Sequence, residues 1–568
     1  MNQQIAELLE RHFDLALSAP NGIQKLRELI LTLAMRGELV PQDRGDPPAR
    51  ELLRDIEAEK KRLMKESKIK AQKPLAAVTA EEMPYVLPEG WEWVRLGDIA
   101  VYNGRNNIIP NEIQNDSWIL DLEDIEKGTS KLLCRAKYEA RQSKSTKSTF
   151  KTGDVLYGKL RPYLDKVIVA DTDGVCTTEI VPIIPSSAID SYFLRWLLKR
   201  PEFLGYVNSL MYGIKMPRLG TDDGNNSIHP LPPLPEQHRI VAKIDQLMSR
   251  CDALEKLRAE HEQKRAASHA AAMHALLNAP DAASFHTALQ FIVNNFNDLY
   301  AVRANVTELR KAILQLAVMG KLVPQDPSDP PARELLQEIE AEKKRLMKEG
   351  KISAQKPLAA IAAEEMPYAL PEGWEWVRLG ELGVWKSGST PSRTDSKYYN
   401  GNIPWVKSGE VKQGVITYTE ESITELALDK FSLPLNQKGA VLLAMYGANI
   451  GEVGILDIEA TTNQAVCACK VFPAVDKQYL LNLIRTLKAY FVSQGAGAAQ
   501  PNISKEKIVI APVPLPPLPE QHRIVAKVTH LMTLCDTLEQ HITAATTQRS
   551  ALLDAVVARV GGAETNIR

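Results

Sequence analysis

Leu231-Pro-Pro-Leu-Pro-Glu-Gln-His-Arg-Ile-Val-Ala-Lys243 returns letter for letter as Leu515 to Lys527, and this repetition decides how the whole chain is organised. A second shared block, Gly37 to Leu96, recurs as Gly320 to Leu379 and carries Leu-Pro-Glu-Gly-Trp-Glu-Trp-Val-Arg-Leu-Gly in both copies. The separation is 283 residues for Trp91 and Trp374 and 284 for Pro230 and Pro514. Between the shared blocks lie Asp98 to His229 and Glu381 to Val513, which have little in common. A framework kept twice around two unlike inserts of equal size points to two modules doing the same kind of work on different targets.

A chain of 568 residues with 44% hydrophobic content has material for roughly three or four domains with real cores. The N-terminus has no basic stretch followed by an apolar run, and no stretch is apolar enough to span a bilayer, so the expectation is a soluble cytoplasmic protein with no membrane partner. Six cysteines without a Cys-x-x-Cys spacing support neither a disulfide framework nor a zinc ribbon, and are expected as buried free thiols. The net charge of −1 disfavours a non-specific nucleic-acid binder, which is normally basic overall. Locally the balance differs: Lys127 to Lys166 holds eleven Lys or Arg against Glu139, Asp154 and Asp165.

Taken in order, residues 1–36 read as helical with a break at Ser18-Ala-Pro-Asn-Gly22, after which Ile23, Leu26, Ile30 and Leu33 form a coiled-coil seam. Asp46 before two prolines predicts a capped second helix. Within the first insert Gly153–Tyr157, Lys166–Ala170 and Ile180–Ile184 predict strands, and Ser191–Met211 a helix or two. Pro230–Pro235 predicts a stiff extended run into a long helix stepping through Ile240, Ile244, Leu247, Cys251 and Leu254, matched by Ile524, Val528, Leu531, Cys535 and Leu538. Ala279-Pro-Asp281 predicts a hairpin turn into a helix with the seam Leu299, Val302, Val306, Leu309, Ile313 and Leu316. The fold class is therefore α+β: two α+β modules separated by long antiparallel coiled-coil helices, with an internal pseudo-twofold repeat. The expected domains are 1–90 (N-terminal helical region and linker), 91–229 (first module), 230–373 (central helical spacer with a helical insertion), 374–513 (second module) and 514–568 (C-terminal helix pairing with the N-terminal one).

Catalytic look-alikes fail on chemistry. Asp46-Pro-Pro-Ala49 and Asp329-Pro-Pro-Ala332 lack the aromatic that completes the amino-methyltransferase tetrapeptide, and Gly153-x4-Gly158-Lys159 has Leu160 where a phosphate loop holds magnesium with Ser or Thr. The histidines do not cluster at metal spacing, so no metal, no cofactor and no catalytic residue is expected. Two other readings compete: a self-contained DNA methyltransferase, and a coiled-coil scaffold with two protein-binding modules.

The two shared motifs, together with Ser387-Gly-Ser-Thr-Pro-Ser-Arg393, Ile403-Pro-Trp-Val406, Thr462-Asn-Gln464, Gln500-Pro-Asn-Ile503 and Gly153-Asp-Val-Leu-Tyr-Gly-Lys-Leu-Arg-Pro-Tyr163, closely resemble the specificity subunits of type I restriction-modification systems. The resemblance covers essentially the whole chain. It implies two target-recognition domains on paired helices, in a complex with two adenine-N6 methyltransferase subunits and ATP-dependent restriction subunits, with S-adenosylmethionine, ATP and magnesium held by those partners. Such a chain reads double-stranded DNA without catalysis, one half of an asymmetric bipartite target per module. Base reading needs donors and acceptors on loops, and register needs cations on phosphates. In the first module the candidates are Lys144, Lys147, Arg161, Tyr163, Lys215 and Arg218. In the second they are Ser389, Thr390, Arg393, Lys397, Tyr446, Asn449, Asn463, Gln464, Gln500 and Asn502. A seam from Ile524 to about Val556 makes a helix roughly 50 Å long, which places the two half-sites about one turn of DNA apart.

Overall fold

A computed structural model describes residues 18–66, 74–141, 143–210, 215–353, 357–495 and 501–560. The chain divides into two compact units, residues 1–262 with 545–568, and residues 263–544.

The first unit begins with helix α1 (Gly22–Met35) and helix α2 (Ala49–Lys65). Ile23, Ile30 and Leu33 of the expected seam are buried, but so are Leu29, Leu31, Ala34 and Met35. The buried face is broader than a coiled-coil seam because α1 also packs on the helices Ser191–Lys199 and Pro201–Leu210 of the module. The turn after α1 needs Gly37, whose φ is +73° and where a Cβ would stand 2.4 Å from Pro88; Gly320 repeats both features against Pro371. On α2 the exposed Glu57 and Lys61 pair at 2.6 Å as expected.

Asp46 does not cap α2. Its carboxylate accepts from Arg239 at 2.6 Å, as Asp329 accepts from Arg523 at 2.7 Å, so each aspartate ties a linker to a long helix instead. That long helix, α3 (Leu234–Leu277), starts earlier than the proline run suggested. Pro230 and Leu231 lie in a strand, and Pro235 sits in the first helical turn, where its missing N–H has no partner to lose. Helices α1 and α3 run antiparallel: Arg258 donates to the Ala19 carbonyl (2.9 Å), Arg27 reaches Asp252 (2.6 Å) and Gln42 reaches Glu236 (3.3 Å). The last turns of the C-terminal helix join the same core through Val556, and Lys25 pairs with Asp554.

The module carries two sheets. Strands β1 (Glu92–Arg95) to β11 (Ile228–Leu231) include β2 (Ala100–Tyr102), β3 (Asn107–Ile108), β4 (Trp118–Leu120), β5 (Ala136–Lys137), β6 (Lys147–Phe150), β7 (Val155–Gly158), β8 (Val167–Val169), β9 (Gly174–Thr177) and β10 (Ile180–Pro185). One sheet has the order β2-β10-β7-β8 and the other β3-β6-β9-β4-β5, while β1 and β11 pair antiparallel where the chain enters and leaves. Pro230 is tolerated in β11 because that ladder has only two strands. The unbroken apolar run of β7 is buried at all four positions.

In the second unit the chain returns through helix α4 (Ala282–Asn294), whose first turn is capped by Asp281, before helix α5 (Arg303–Val318) begins. Leu299 and Val302, expected on the α5 seam, precede it. The end of α3 runs alongside α5 in the same direction, from Arg265 with Asp298 (3.5 Å) to Lys321 with the Ala279 carbonyl (3.1 Å). The α4 passage makes this possible, so the turn at Ala279-Pro-Asp281 does not pair α3 with α5 as a hairpin. Helix α6 (Ala332–Lys348) repeats α2, and helix α7 (Leu518–Val560) repeats α3. Helices α5 and α7 are antiparallel, with Arg310 on Asp536 (2.7 Å) and Gln325 on Glu520 (3.2 Å). The second module holds β12 (Glu375–Arg378), β13 (Gly383–Ser387), β14 (Tyr399–Val406), β15 (Val415–Ile416), β16 (Glu421–Ile423), β17 (Val441–Ala444), β18 (Val453–Leu456), β19 (Thr461–Thr462), β20 (Val466–Val471) and β21 (Pro512–Leu515). Its sheets are β13-β20-β17-β18-β15 and β16-β14-β19, closed by the β12-β21 pair. Five of the six cysteines are buried free thiols; Cys134 is exposed.

Candidate nucleic-acid interface

The letters repeated most faithfully hold each module on its helix. Trp91 Nε1 donates to Glu236 Oε2 at 2.9 Å, and Trp374 to Glu520 at the same distance. Burial pushes both carboxyls above their ordinary range, and the indole N–H opposes that shift by stabilising the charge. Gln237 accepts from the backbone N–H of Asp190 (3.0 Å) and Gln521 from that of Asp476 (2.8 Å). Those aspartates cap the matching module helices Ser191–Lys199 and Lys477–Thr486. The Glu-Gln-x-Arg motif is thus a clamp, and the surfaces free to differ lie on the inserts.

On the inserts, one loop pair is built the same way in both modules. After β7 the backbone N–H of Arg161 donates to the Pro217 carbonyl at 2.8 Å; after β17 the N–H of Gly447 donates to the Pro501 carbonyl at 2.8 Å. Leu160 bridges Arg218 as Tyr446 bridges Asn502. Leu219 donates to the Lys159 carbonyl as Ile503 donates to that of Met445. Arg161 and Gly447 both adopt left-handed backbone, at φ +50° and +63°. These bonds make Arg161 equivalent to Gly447 and Arg218 equivalent to Asn502. One backbone frame therefore presents unlike side chains.

The first module gathers Arg161, Tyr163, Lys215 and Arg218 at this frame, all exposed. Arg218 is engaged by Glu179 at 2.9 Å, and this hydrogen bond raises the arginine and lowers the glutamate from their ordinary ranges. Lys144 is exposed on the turn leading into β6, in the other sheet. Lys147 departs from the expectation: it is 4% exposed, on β6, and its ammonium lies 3.3 Å from Asp121. Three more cations of the basic stretch are neutralised in the same way: Arg141 pairs with Asp124 (2.5 Å), Arg135 with Asp171 (2.6 Å) and Lys131 with Asp252 (2.8 Å).

In the second module Tyr446, Asn449 and Asn502 share the frame, and a second turn joins it. Met445 donates to the Ala465 carbonyl, and Ser389 to that of Thr462. Gly388 allows this approach, since a Cβ there would stand 1.9 Å from the Thr462 oxygen. Ser389, Thr390, Asn463 and Gln464 are therefore neighbours of the frame. Asn463 spends its Oδ1 on the Ala465 N–H (3.1 Å), so its amide NH2 is the group left for a ligand. Tyr446 is 38% exposed and so available at the frame. Arg393 lies on Glu421 (2.6 Å) and over the Trp405 ring (5.1 Å), which assigns its guanidinium to the β14-β16 sheet; Lys397 pairs with Asp395 (2.7 Å). Gln500 lies outside the described residues. Sequence reading missed the Pro217 and Pro501 carbonyls that tie both frames. Their 284-residue separation, the same as that of the proline runs, was the available signal.

Two modules clamped on a duplicated helical framework, each presenting one loop frame with its own side chains, define a paired-module recognition protein. The family described as type I restriction modification DNA specificity domain matches residues 88–262 and 371–548. The chain is 34% identical to the type I restriction enzyme EcoAI specificity subunit of Escherichia coli, over 94% of this chain and 93% of that one. It is 33% identical to the EcoEI specificity subunit of the same organism, with the same coverage of both chains. The solved HsdS subunit from Thermoanaerobacter tengcongensis is 21% identical with a TM-score of 0.44, over 84% of this chain and 98% of that one. The chain belongs to the specificity subunits of type I restriction-modification systems.

Proposed function

We propose that this chain reads an asymmetric bipartite sequence in double-stranded DNA, one half through each module. It directs adenine-N6 methylation by two methyltransferase subunits, or cleavage by ATP-dependent restriction subunits, in the cytoplasm. The partners supply S-adenosylmethionine, ATP and magnesium; this chain supplies the address. The observation that carries the reading is the shared frame: the same proline-tied loop offers arginine, tyrosine and lysine in one module and tyrosine and asparagine in the other. Arginine suits guanine and asparagine suits adenine at base edges, so the two frames suit different half-sites. Exchanging residues 98–229 for the corresponding insert of another subunit tests it. The methylated motif should change in one half only, and a change in both halves would reject one module per half-site.

A further inference from the structure

Beside the frame of the second module lies a polar cleft of about 740 Å³, lined by Lys386, Ser387, Asp429, Ser432 and Lys505 among others. Lys386 stands at the end of β13, three residues before Ser389, and Lys505 follows Asn502 by three. Both lysines thus belong to the segments that form the candidate interface.

Their shared cleft sets these charges apart, since Lys412, Lys470 and Lys477 of the same module also lack an ion pair among the described residues but do not line it. Arg393, Lys397, Lys407 and Lys488 in the same module are all held in ion pairs. Lys386 and Lys505 have no ion-pair or hydrogen-bond partner among the described residues, and Asp429 is the one carboxylate lining the cleft with them. Two ammonium groups and the Ser432 hydroxyl face Asp429 in the cleft, with Ser387 bonded to Cys467 and Glu506 beside Lys505, so the lining keeps a cationic pair able to take an anion. At the framework offsets of 283 and 284, the first module has Asn103 and Thr221 at these places, so the feature belongs to one module alone.

We infer that Lys386 and Lys505 grip the DNA backbone phosphates flanking the half-site read by the second module. The inference rests on the DNA reading proposed above and adds a contact that carries affinity without sequence information. Each phosphate neutralised steepens the dependence of log affinity on log salt by about 0.9. Loss of both contacts should therefore flatten the slope by about 1.8 and leave the motif unchanged.

The test uses the full chain assembled with its methyltransferase subunits. Salt titrations on duplexes carrying the methylated motif compare wild type with K386A/K505A and with K386R/K505R. The alanine pair should flatten the slope by about 1.8, and the arginine pair should restore it. Phosphate-ethylation interference on the wild-type complex needs no variant, and should mark phosphates beside the second module's half-site. A wild-type slope in the alanine pair, or no interference there, overturns the inference, as does a changed motif. Interference abolished by free inorganic phosphate at constant ionic strength, with the slope unmoved, would make the cleft a small-anion site and overturn it as well. If the wild-type complex shows no motif-specific binding, the DNA reading itself fails.

Discussion

Replacing Lys147 and Lys144 separately with alanine distinguishes a lysine that holds the module together from one available to phosphate. Removing one partner of a buried ion pair costs about 3–5 kcal/mol. Asp121 is 32% exposed at its side chain and keeps Arg141 at 3.2 Å, which brings the expected cost of Lys147→Ala down to about 2 kcal/mol. Lys144 is exposed and has no partner among the described residues, so Lys144→Ala should leave stability within about 0.5 kcal/mol. Its cost should appear on DNA instead: losing one phosphate contact flattens the salt slope by about 0.9, roughly 3.5-fold in affinity over a fourfold change in salt. Urea unfolding followed by near-ultraviolet absorption measures the first effect, and salt titration of the assembled complex on its motif measures the second. A flattened slope with unchanged unfolding for Lys147→Ala would refute the assignment, because it would show the ammonium facing DNA.

The clamp and the acid limb give two further expectations. Trp374→Phe removes both the N–H that Glu520 accepts and part of a buried ring, and should cost about 3 kcal/mol in urea unfolding; costs of Trp374→Phe and Glu520→Ala that simply add in the pair would show that this hydrogen bond contributes nothing. The Arg378 guanidinium and the Ala362 N–H hold Glu365 down to about 2, from an ordinary 4.5. Folding therefore releases its proton between these values, and its contribution to stability is complete above pH 4.5 and lost as pH falls toward 2. Glu365→Gln should destabilise at neutral pH and match wild type near pH 2. A gap that does not narrow on acidification would show that this carboxylate is not the source.

The duplicated framework was readable because its letters repeat, not because its contacts are short in sequence. Glu236, Gln237 and Arg239 sit within one helical turn, and each reaches a partner that is itself repeated: Trp91, Asp190 and Asp46. The Asp46 misreading shows the limit of local rules, since a good capping residue before two prolines was drawn to an arginine 193 positions away. Lys147 failed for the same reason. Alternation on β6 says only that the side chain takes one face, and its partner Asp121 lies beyond a neighbouring strand. The frame equivalence of Arg161 with Gly447 was hidden because backbone hydrogen bonds fix it, and those bonds constrain neither side chain. The residues most free to differ between modules are the ones a repeat cannot reveal.

Whether each module reads one half of a bipartite DNA target is decided by sequencing methylated adenines in cells carrying this chain with its methyltransferase partners. The expected result is a single asymmetric motif of two specific halves separated by unread base pairs, their centres about one helical turn apart. A continuous or symmetric motif, or methylation without sequence preference, would contradict it.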